Sequence, residues 1–166
     1  MKKLLALTAL TLGMAVAQQG TGLPQPAPIP VNVTTLKASG APEGTFLIKN
    51  DYLYKRDLNV RAFDLDAFLK ANMPNINAYA VQGWTVILRC KDGYAPKAKL
   101  ADLLGAGGLL AYADADLTAP ARWNPAPYKD KILSENDIDI YMVWKHDTFP
   151  AKPAPWGLAS IEFVRP

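Results

Sequence analysis

The segment from Trp84 to Tyr112 constrains the fold more than any other part of the chain, because two kinds of periodicity follow each other there. From Trp84 to Cys90 the side chains alternate along the chain, which is the period of a β-strand. One face of this strand holds Trp84, Val86, Leu88 and Cys90. The next three residues, a Lys, an Asp and a Gly, have the composition of a turn. The sequence therefore predicts a central strand that ends in a tight turn.

A short helix is predicted after this turn. Leu100, Leu103 and Leu104 have the i, i+3, i+4 spacing of an amphipathic helix, and Gly105 stands where a left-handed residue would end it. The residues from Leu109 to Tyr112 then form a short apolar run, which is typical of a buried strand. We expect the helix to pack one apolar stripe against the sheet.

The remaining elements follow from the same rules. Asp64 is a suitable N-cap for a helix that ends before Pro74. Strands are predicted at Val31 to Lys37, Thr45 to Lys49, Ala78 to Val81, Asp137 to Trp144 and Leu158 to Val164. In the strand from 137 to 144, the inward residues are expected to be Ile138, Ile140, Met142 and Trp144. The order of elements has no βαβ alternation, so we predict an α+β domain with a mostly β, mixed sheet and two or three short helices.

The N-terminus predicts export. Residues 1–17 contain two lysines, an apolar run and a small-x-small end, which is the pattern of a secretory signal peptide. Residues 18–30 carry four prolines at alternate positions, which predicts a Pro-rich extended arm outside the packed structure. Residues 31–166 then form a single domain. We expect a periplasmic or secreted protein whose mature chain has no transmembrane span.

Charge and cysteine content narrow the function classes. Of the 18 Lys and Arg residues, Lys2 and Lys3 lie in the signal peptide, and the others nearly balance 15 Asp and Glu residues. No basic stripe interleaved with aromatic residues is present, so no nucleic-acid partner is expected. A single cysteine excludes an internal disulfide, and the fold must be held together by its core.

Three segments resemble the molybdopterin-binding domain of the sulfite oxidase family. They are the Arg89-Cys90 strand end followed by the helix that ends in two leucines, the run LLAYADADL, and the run PWGLASIEFV. The last of these is similar to the final strand of small periplasmic relatives. The resemblance implies a sulfite oxidase-like molybdopterin-binding fold. It also implies that Cys90 occupies the place of the family's thiolate ligand to molybdenum.

Two interpretations of Cys90 follow. On the apolar face of its strand, a free cysteine behaves as a small buried hydrophobe. As a metal and cofactor ligand it would be a thiolate that solvent can reach, beside Arg89 and Lys91. The family enzymes hold their pterin through many polar side chains, and this chain has few residues outside its predicted core. We therefore expect no cofactor, with molybdopterin as the alternative.

Four aromatic residues in the C-terminal part are candidates for a partner surface: Trp123, Tyr128, Trp144 and Trp156. Several of them lie in or beside Pro-rich loops, and aromatic side chains held on rigid loops are typical of partner sites. The alternative is that each tryptophan closes one end of a small core.

These observations predict a cofactor-poor binding or accessory module that works with a periplasmic redox protein such as a cytochrome. That partner class comes from the family resemblance. One alternative is a molybdopterin-dependent oxidoreductase with Cys90 as the molybdenum ligand. Another is a non-redox ligand-binding protein of the cell envelope. No catalytic residue is predicted.

Overall fold

The computed structural model describes residues 22–146 and 152–166. Within them the strands are β1 (Ile29–Pro30), β2 (Glu43–Ile48), β3 (Leu58–Asp64), β4 (Thr85–Cys90), β5 (Lys97–Lys99), β6 (Gly108–Asp114), β7 (Ala126–Tyr128), β8 (Lys131–Leu133), β9 (Tyr141–Trp144) and β10 (Leu158–Val164). The helices are α1 (Val33–Ala38), α2 (Leu65–Asn72), α3 (Ile76–Val81), α4 (Leu100–Leu103) and α5 (Glu135–Ile138). Strand outweighs helix, which confirms the predicted α+β class. The sulfite oxidase fold itself stays a prediction.

The strands form two four-stranded sheets and one hairpin. The first sheet has the order β1-β10-β4-β5, the second has the order β2-β3-β6-β9, and β7 pairs with β8. All of the ladders among the described residues are antiparallel, so the expectation of a mixed sheet is wrong. The predicted final strand lies inside the first sheet, between β1 and β4.

The second sheet separates two hydrophobic cores. Leu110 and Met142 face the core that the first sheet and α2 to α4 also line. Leu109 and Val143 face the opposite way, into a smaller core closed by the segments that carry Leu53, Trp123 and Leu133. Every residue of β6 and of β9 is buried as a result. Such strands show a continuous apolar run rather than a simple alternation.

This second core corrects the prediction for residues 137 to 144. The segment is divided between α5 and β9, with Asp139 in a positive-φ turn between them. Tyr141 and Val143 were expected to face away from the core, but both are buried because the smaller core covers that face of β9. The side chains of β9 do alternate between two faces, but both faces of the strand are buried.

Two predicted strands are helices, which with α5 brings the described helices to five instead of two or three. The α1 helix begins with a capping box, in which the Asn32 side chain accepts from the Thr35 amide at 2.9 Å and Thr35 Oγ1 accepts from the Asn32 amide at 3.0 Å. The α3 helix buries Ile76 and Tyr79, which are three residues apart on one helical face. Both segments are short, and the spacing of their apolar residues fits the period of a helix as well as that of a strand.

Other local predictions are confirmed. The Asp64 side chain accepts from the Ala67 amide at 3.1 Å and begins α2 as its N-cap. Gly105 has a φ of +71° just after α4, the left-handed conformation expected of a residue that ends a helix. Trp84 is buried beside Tyr79, with ring centroids 4.9 Å apart in an edge-to-face arrangement.

The Pro-rich arm packs onto the protein over its described part, residues 22–30, which corrects its expected position outside the fold. Ile29 is buried and pairs with Ile161 of β10. The Gln25 side chain donates to the Phe163 carbonyl at 2.6 Å, and the Tyr79 hydroxyl donates to the Pro24 carbonyl at 2.9 Å. Proline lacks an amide proton, so a segment rich in it suits the edge of a sheet, where its carbonyls still accept hydrogen bonds. The residues of the arm before 22, like those of the signal peptide, lie outside the described residues.

None of the helices in the described ranges is long and apolar enough to cross a membrane.

The packing of the arm generates the first prediction. Replacing Ile29 by Ala should lower the free energy of unfolding by about 2 kcal/mol or more, because it empties a buried aliphatic site beside β10. Ala27→Ser, at an exposed position of the same segment, should change it by less than about 0.5 kcal/mol. Urea denaturation of the two variants measures both values. Equal stability of Ile29→Ala and the parent protein would show that the arm does not contribute to the fold.

Candidate functional site

Cys90 lies at the end of β4, in a tight turn. Its amide donates to the Tyr94 carbonyl at 2.9 Å, and its carbonyl accepts from the Gly93 amide at 3.1 Å. Gly93 has a φ of +87°, a conformation that a residue with a side chain rarely adopts. Cys90 is 8% exposed, and its sulfur lies 3.8 Å from the Leu88 carbonyl oxygen. The turn predicted after β4 is present, and it closes over the cysteine.

The surroundings of Cys90 do not fit a molybdenum ligand. Burial, with the negative charge of Asp92 as a second cause, raises the pKa of the thiol to about 12, whereas a metal ligand must be a thiolate. Arg89 pairs with Glu162 at 3.0 Å, and Lys91 pairs with Asp139, so both neighbouring cations are occupied by other groups. Among the described residues, no group of three His, Cys, Asp or Glu side chains is arranged to hold a metal ion.

The predicted partner surface is divided by the fold. Trp123 is 3% exposed and packs in the smaller core, which corrects its place on the predicted surface. Trp144 is 5% exposed and packs in the larger core, and it also lines a groove with Lys145 and His146. The indole of Trp123 donates to the Asp139 carbonyl at 2.7 Å, and that of Trp144 donates to the Pro153 carbonyl at 3.0 Å. Tyr128 and Trp156 remain partly exposed and meet edge to face, with ring centroids 4.5 Å apart. Of the four candidates, these two are partly exposed and in contact with each other.

Tyr128 and Trp156 line one of two adjoining grooves. The two grooves have volumes of about 520 and 470 Å³, and both are bounded by Tyr52 and Ala154. We call the pair the Tyr52 trough. The first groove includes Lys49, Asp51, Lys55, Tyr141, Lys145 and His146. The second includes Tyr94, Asp92, Tyr128, Lys129, Pro155 and Trp156. His146, the one histidine in the sequence, is exposed at the wall of the first groove.

Lysine side chains lie against aromatic rings along the trough. The ammonium of Lys55 is 4.0 Å from the centre of the Tyr52 ring, and that of Lys129 is 5.3 Å from the centre of the Tyr128 ring. Lys152 lies over the ring of Trp144 at 5.1 Å. No carboxylate of the described residues is within ion-pair distance of these three lysines, whereas Lys49 and Lys145 on the first groove are paired with Asp57 and Asp64. Lys55, Lys129 and Lys152 are therefore the lysines of the trough without a carboxylate partner among the described residues, and such ammonium groups can attract an anion.

A buried carboxylate holds the turn that presents Tyr52 and Lys55. Asp51 is 3% exposed; one of its oxygens accepts from the amides of Leu53 and Tyr54 at 3.0 and 2.8 Å, and the other accepts from the Tyr141 hydroxyl at 3.0 Å. Its backbone carbonyl also accepts from the Lys55 amide at 2.8 Å. Asp51 thereby ties this turn to β9 at the base of the trough.

Burial sets the protonation states of Asp51 and Tyr141. Desolvation raises the pKa of Asp51 above its ordinary value, although hydrogen bonds from the Tyr54 amide and the Tyr141 hydroxyl oppose that shift. Burial and the charge of Asp51 also raise the pKa of Tyr141, so its hydroxyl stays protonated and donates. A tyrosine in this state is a hydrogen-bond donor and not a base. The pair positions the turn and does not itself supply acid–base chemistry.

A partly buried ion pair also supports this turn. Asp114, 1% exposed, accepts from the Arg56 guanidinium at 2.8 Å. The guanidinium carbon also lies 5.5 Å from the centre of the Tyr54 ring, and the Tyr54 hydroxyl donates to the Asn124 carbonyl at 2.7 Å. This turn was not predicted from the sequence. Its signal there is the run of tyrosine, lysine and arginine between two aspartates at residues 51–57.

Comparison with known proteins gave no match to a protein-family model, to a curated protein or to a solved structure. The resemblance to the sulfite oxidase family is therefore neither supported nor refuted by these comparisons.

The Asp51 pair generates the second prediction. Tyr141→Phe should lower the free energy of unfolding by about 1 to 3 kcal/mol at pH 7, because a buried carboxylate oxygen loses its donor. It should also raise the pKa of Asp51 further. A carboxyl whose folded pKa is raised binds its proton more tightly in the folded state, so stability falls as the pH rises from about 4 through that folded pKa. The variant should show a steeper fall over this range, measured by denaturation at several pH values.

Two further variants serve as controls. Asp51→Asn removes the titrating group and should abolish this part of the pH dependence. Tyr94→Phe deletes a hydroxyl from an exposed ring and should leave the profile unchanged. If Tyr141→Phe and the parent protein have the same stability throughout, the contact does not hold the turn.

Proposed function

We propose that this protein is an exported binding or accessory module that contacts its partner through the Tyr52 trough. The observation that carries the proposal is the meeting of two grooves at Tyr52, with Lys55 and Lys129 lying over aromatic rings at 4.0 and 5.3 Å. Concave surfaces with aromatic walls and a few convergent polar groups are the usual form of a binding site. Tyrosine, tryptophan and cations over rings are also typical of partner contacts.

The compartment and the partner class of the proposal come from the sequence. The predicted signal peptide supports a periplasmic or secreted location. The resemblance to the sulfite oxidase family supports a redox protein of that compartment, such as a cytochrome, as the partner. A non-redox ligand of the cell envelope is the alternative that the same trough would serve.

A molybdopterin-dependent oxidoreductase with Cys90 on the metal is the less favoured proposal. Its support is the resemblance around Arg89 and Cys90. Against it stand the burial of the thiol and its raised pKa. A cofactor-poor module requires neither a thiolate nor a pterin pocket, so it agrees better with these two properties.

Site-specific photo-crosslinking in the producing cell tests the proposal. A photoreactive residue at Tyr94, which is 58% exposed on the second groove, should form a covalent adduct with one discrete partner. The same residue at Val81, which is 89% exposed and lines neither groove, should not. Adding Lys129→Glu should remove the adduct at Tyr94, because it reverses a charge of the trough.

Two results would count against the proposal. Adducts of the same kind from both positions would show that contact is not confined to the trough, and no adduct from Tyr94 would show that the trough has no partner in the cell. Mass spectrometry of a specific adduct identifies the partner. A protein without a redox cofactor would support the envelope-binding alternative in place of the redox partner.

A further inference from the structure

We propose that the Tyr52 trough takes an extended, proline-containing acidic segment of its partner. This inference rests on the proposed binding function and names the chemistry of the occupant. The shape of the trough, the angles between its aromatic rings and its charge all favour such a segment.

The shape favours a chain over a compact ligand. Two grooves of about 520 and 470 Å³ share Tyr52 and Ala154 in their linings, so the two concave surfaces adjoin each other. A small molecule would fill one groove and leave the other open. An extended peptide can occupy both, because successive residues advance about 3 Å in the polyproline conformation.

The aromatic rings of the trough are set at steep angles to one another. Tyr52 and Tyr128 meet at 66° with centroids 6.5 Å apart, and Tyr128 and Trp156 meet at 69° with centroids 4.5 Å apart. Pro153 and Pro155 add rigid wall to the same groove. Aromatic walls set at steep angles can contact the compact pyrrolidine ring of proline on two sides, whereas a sugar usually stacks one face of its puckered ring on a single open aromatic face. Proline-rich segments also lose little conformational entropy on binding, which is why aromatic-lined grooves recognise them.

The charge of the trough selects acidic residues beside those prolines. Lys55 and Lys129 lie next to Tyr52 and Tyr128, and neither is paired with a described carboxylate. Two carboxylates share these walls. Asp51 is buried and bonded to Tyr141, and Asp92 accepts from the Tyr94 amide at 3.0 Å. Because Lys55 and Lys129 have no carboxylate partner among the described residues, they would attract carboxylates of the partner and repel a basic segment.

Binding of designed peptides to the purified mature protein tests this inference. Three fluorescent peptides are compared by anisotropy: six repeats of Glu-Pro, six repeats of Glu-Gly and six repeats of Lys-Pro. We expect the Glu-Pro peptide to bind, the Glu-Gly peptide to bind about tenfold more weakly, and the Lys-Pro peptide not to bind. Rising salt should weaken the binding of the Glu-Pro peptide.

Matched variants assign the binding to the trough. Lys129→Glu should weaken binding of the Glu-Pro peptide about tenfold or more. Lys97→Glu, which replaces an exposed lysine of β5 outside both grooves, should leave this affinity unchanged. Tyr94→Ala should also weaken it, because it removes an exposed ring of the second groove. Thermal melts of all three variants show whether a loss of binding reflects a loss of folding.

Several outcomes would overturn the inference. Equal binding of the Glu-Pro and Glu-Gly peptides would exclude recognition of proline, and binding of the Lys-Pro peptide would exclude selection by charge. Binding of an oligosaccharide such as cellohexaose, with no binding of any peptide, would replace the occupant by a sugar. If the peptides fail while the Tyr94 adduct persists, the occupant is wrong and the binding function stands; if the adduct also fails, both are wrong.

Discussion

The pairing of β6 with β9 is the contact on which the rest of the structure depends, because these two strands are buried on both faces and supply side chains to both cores. Leu110 and Met142 point to the larger core, and Leu109 and Val143 point to the smaller one. A strand with two buried faces can neither twist freely nor slip by one residue, since a slip would exchange its two sets of side chains. The smaller core therefore rests on a rigid base, and the Tyr52 trough is built above it.

Polar contacts inside the smaller core give the trough its shape. Asp51 bonds to Tyr141 of β9, and Arg56 bonds to Asp114 of β6, so one turn is attached to both central strands. Buried polar pairs add little net stability, but they are costly to break, because the partner left behind has no water to replace its lost bond. They therefore favour one position of the turn over others. A site held in its binding geometry loses less conformational entropy when a ligand arrives.

Local pattern predicted the elements whose signal lies within a few residues: the alternation of β4, the strand β10, the N-cap at Asp64 and the glycine after α4. Features that depend on distant segments were missed. Tyr141 was assigned to an exposed face because nothing in its own strand shows that a second core covers it, and Trp123 was placed on a surface for the same reason. The trough could not be predicted, since it joins residues near 52, 94, 128 and 156 that meet only in the folded chain. Of the four residues predicted to form a partner surface, Tyr128 and Trp156 line the second groove, Trp144 lines the first, and Trp123 lies in the smaller core.

The central claim is that Cys90 belongs to the packing of the fold and that function resides at the trough. The reactivity of its thiol tests this most directly, since the chain has no other cysteine. With a pKa of about 12 against an ordinary value of about 8.5, the folded protein at pH 7.5 should react with iodoacetamide about a thousandfold more slowly than the chain unfolded in guanidinium. A folded protein whose Cys90 is alkylated as fast as the unfolded chain would contradict the account, because it would reveal an accessible thiol with an ordinary pKa, which a metal could deprotonate and bind.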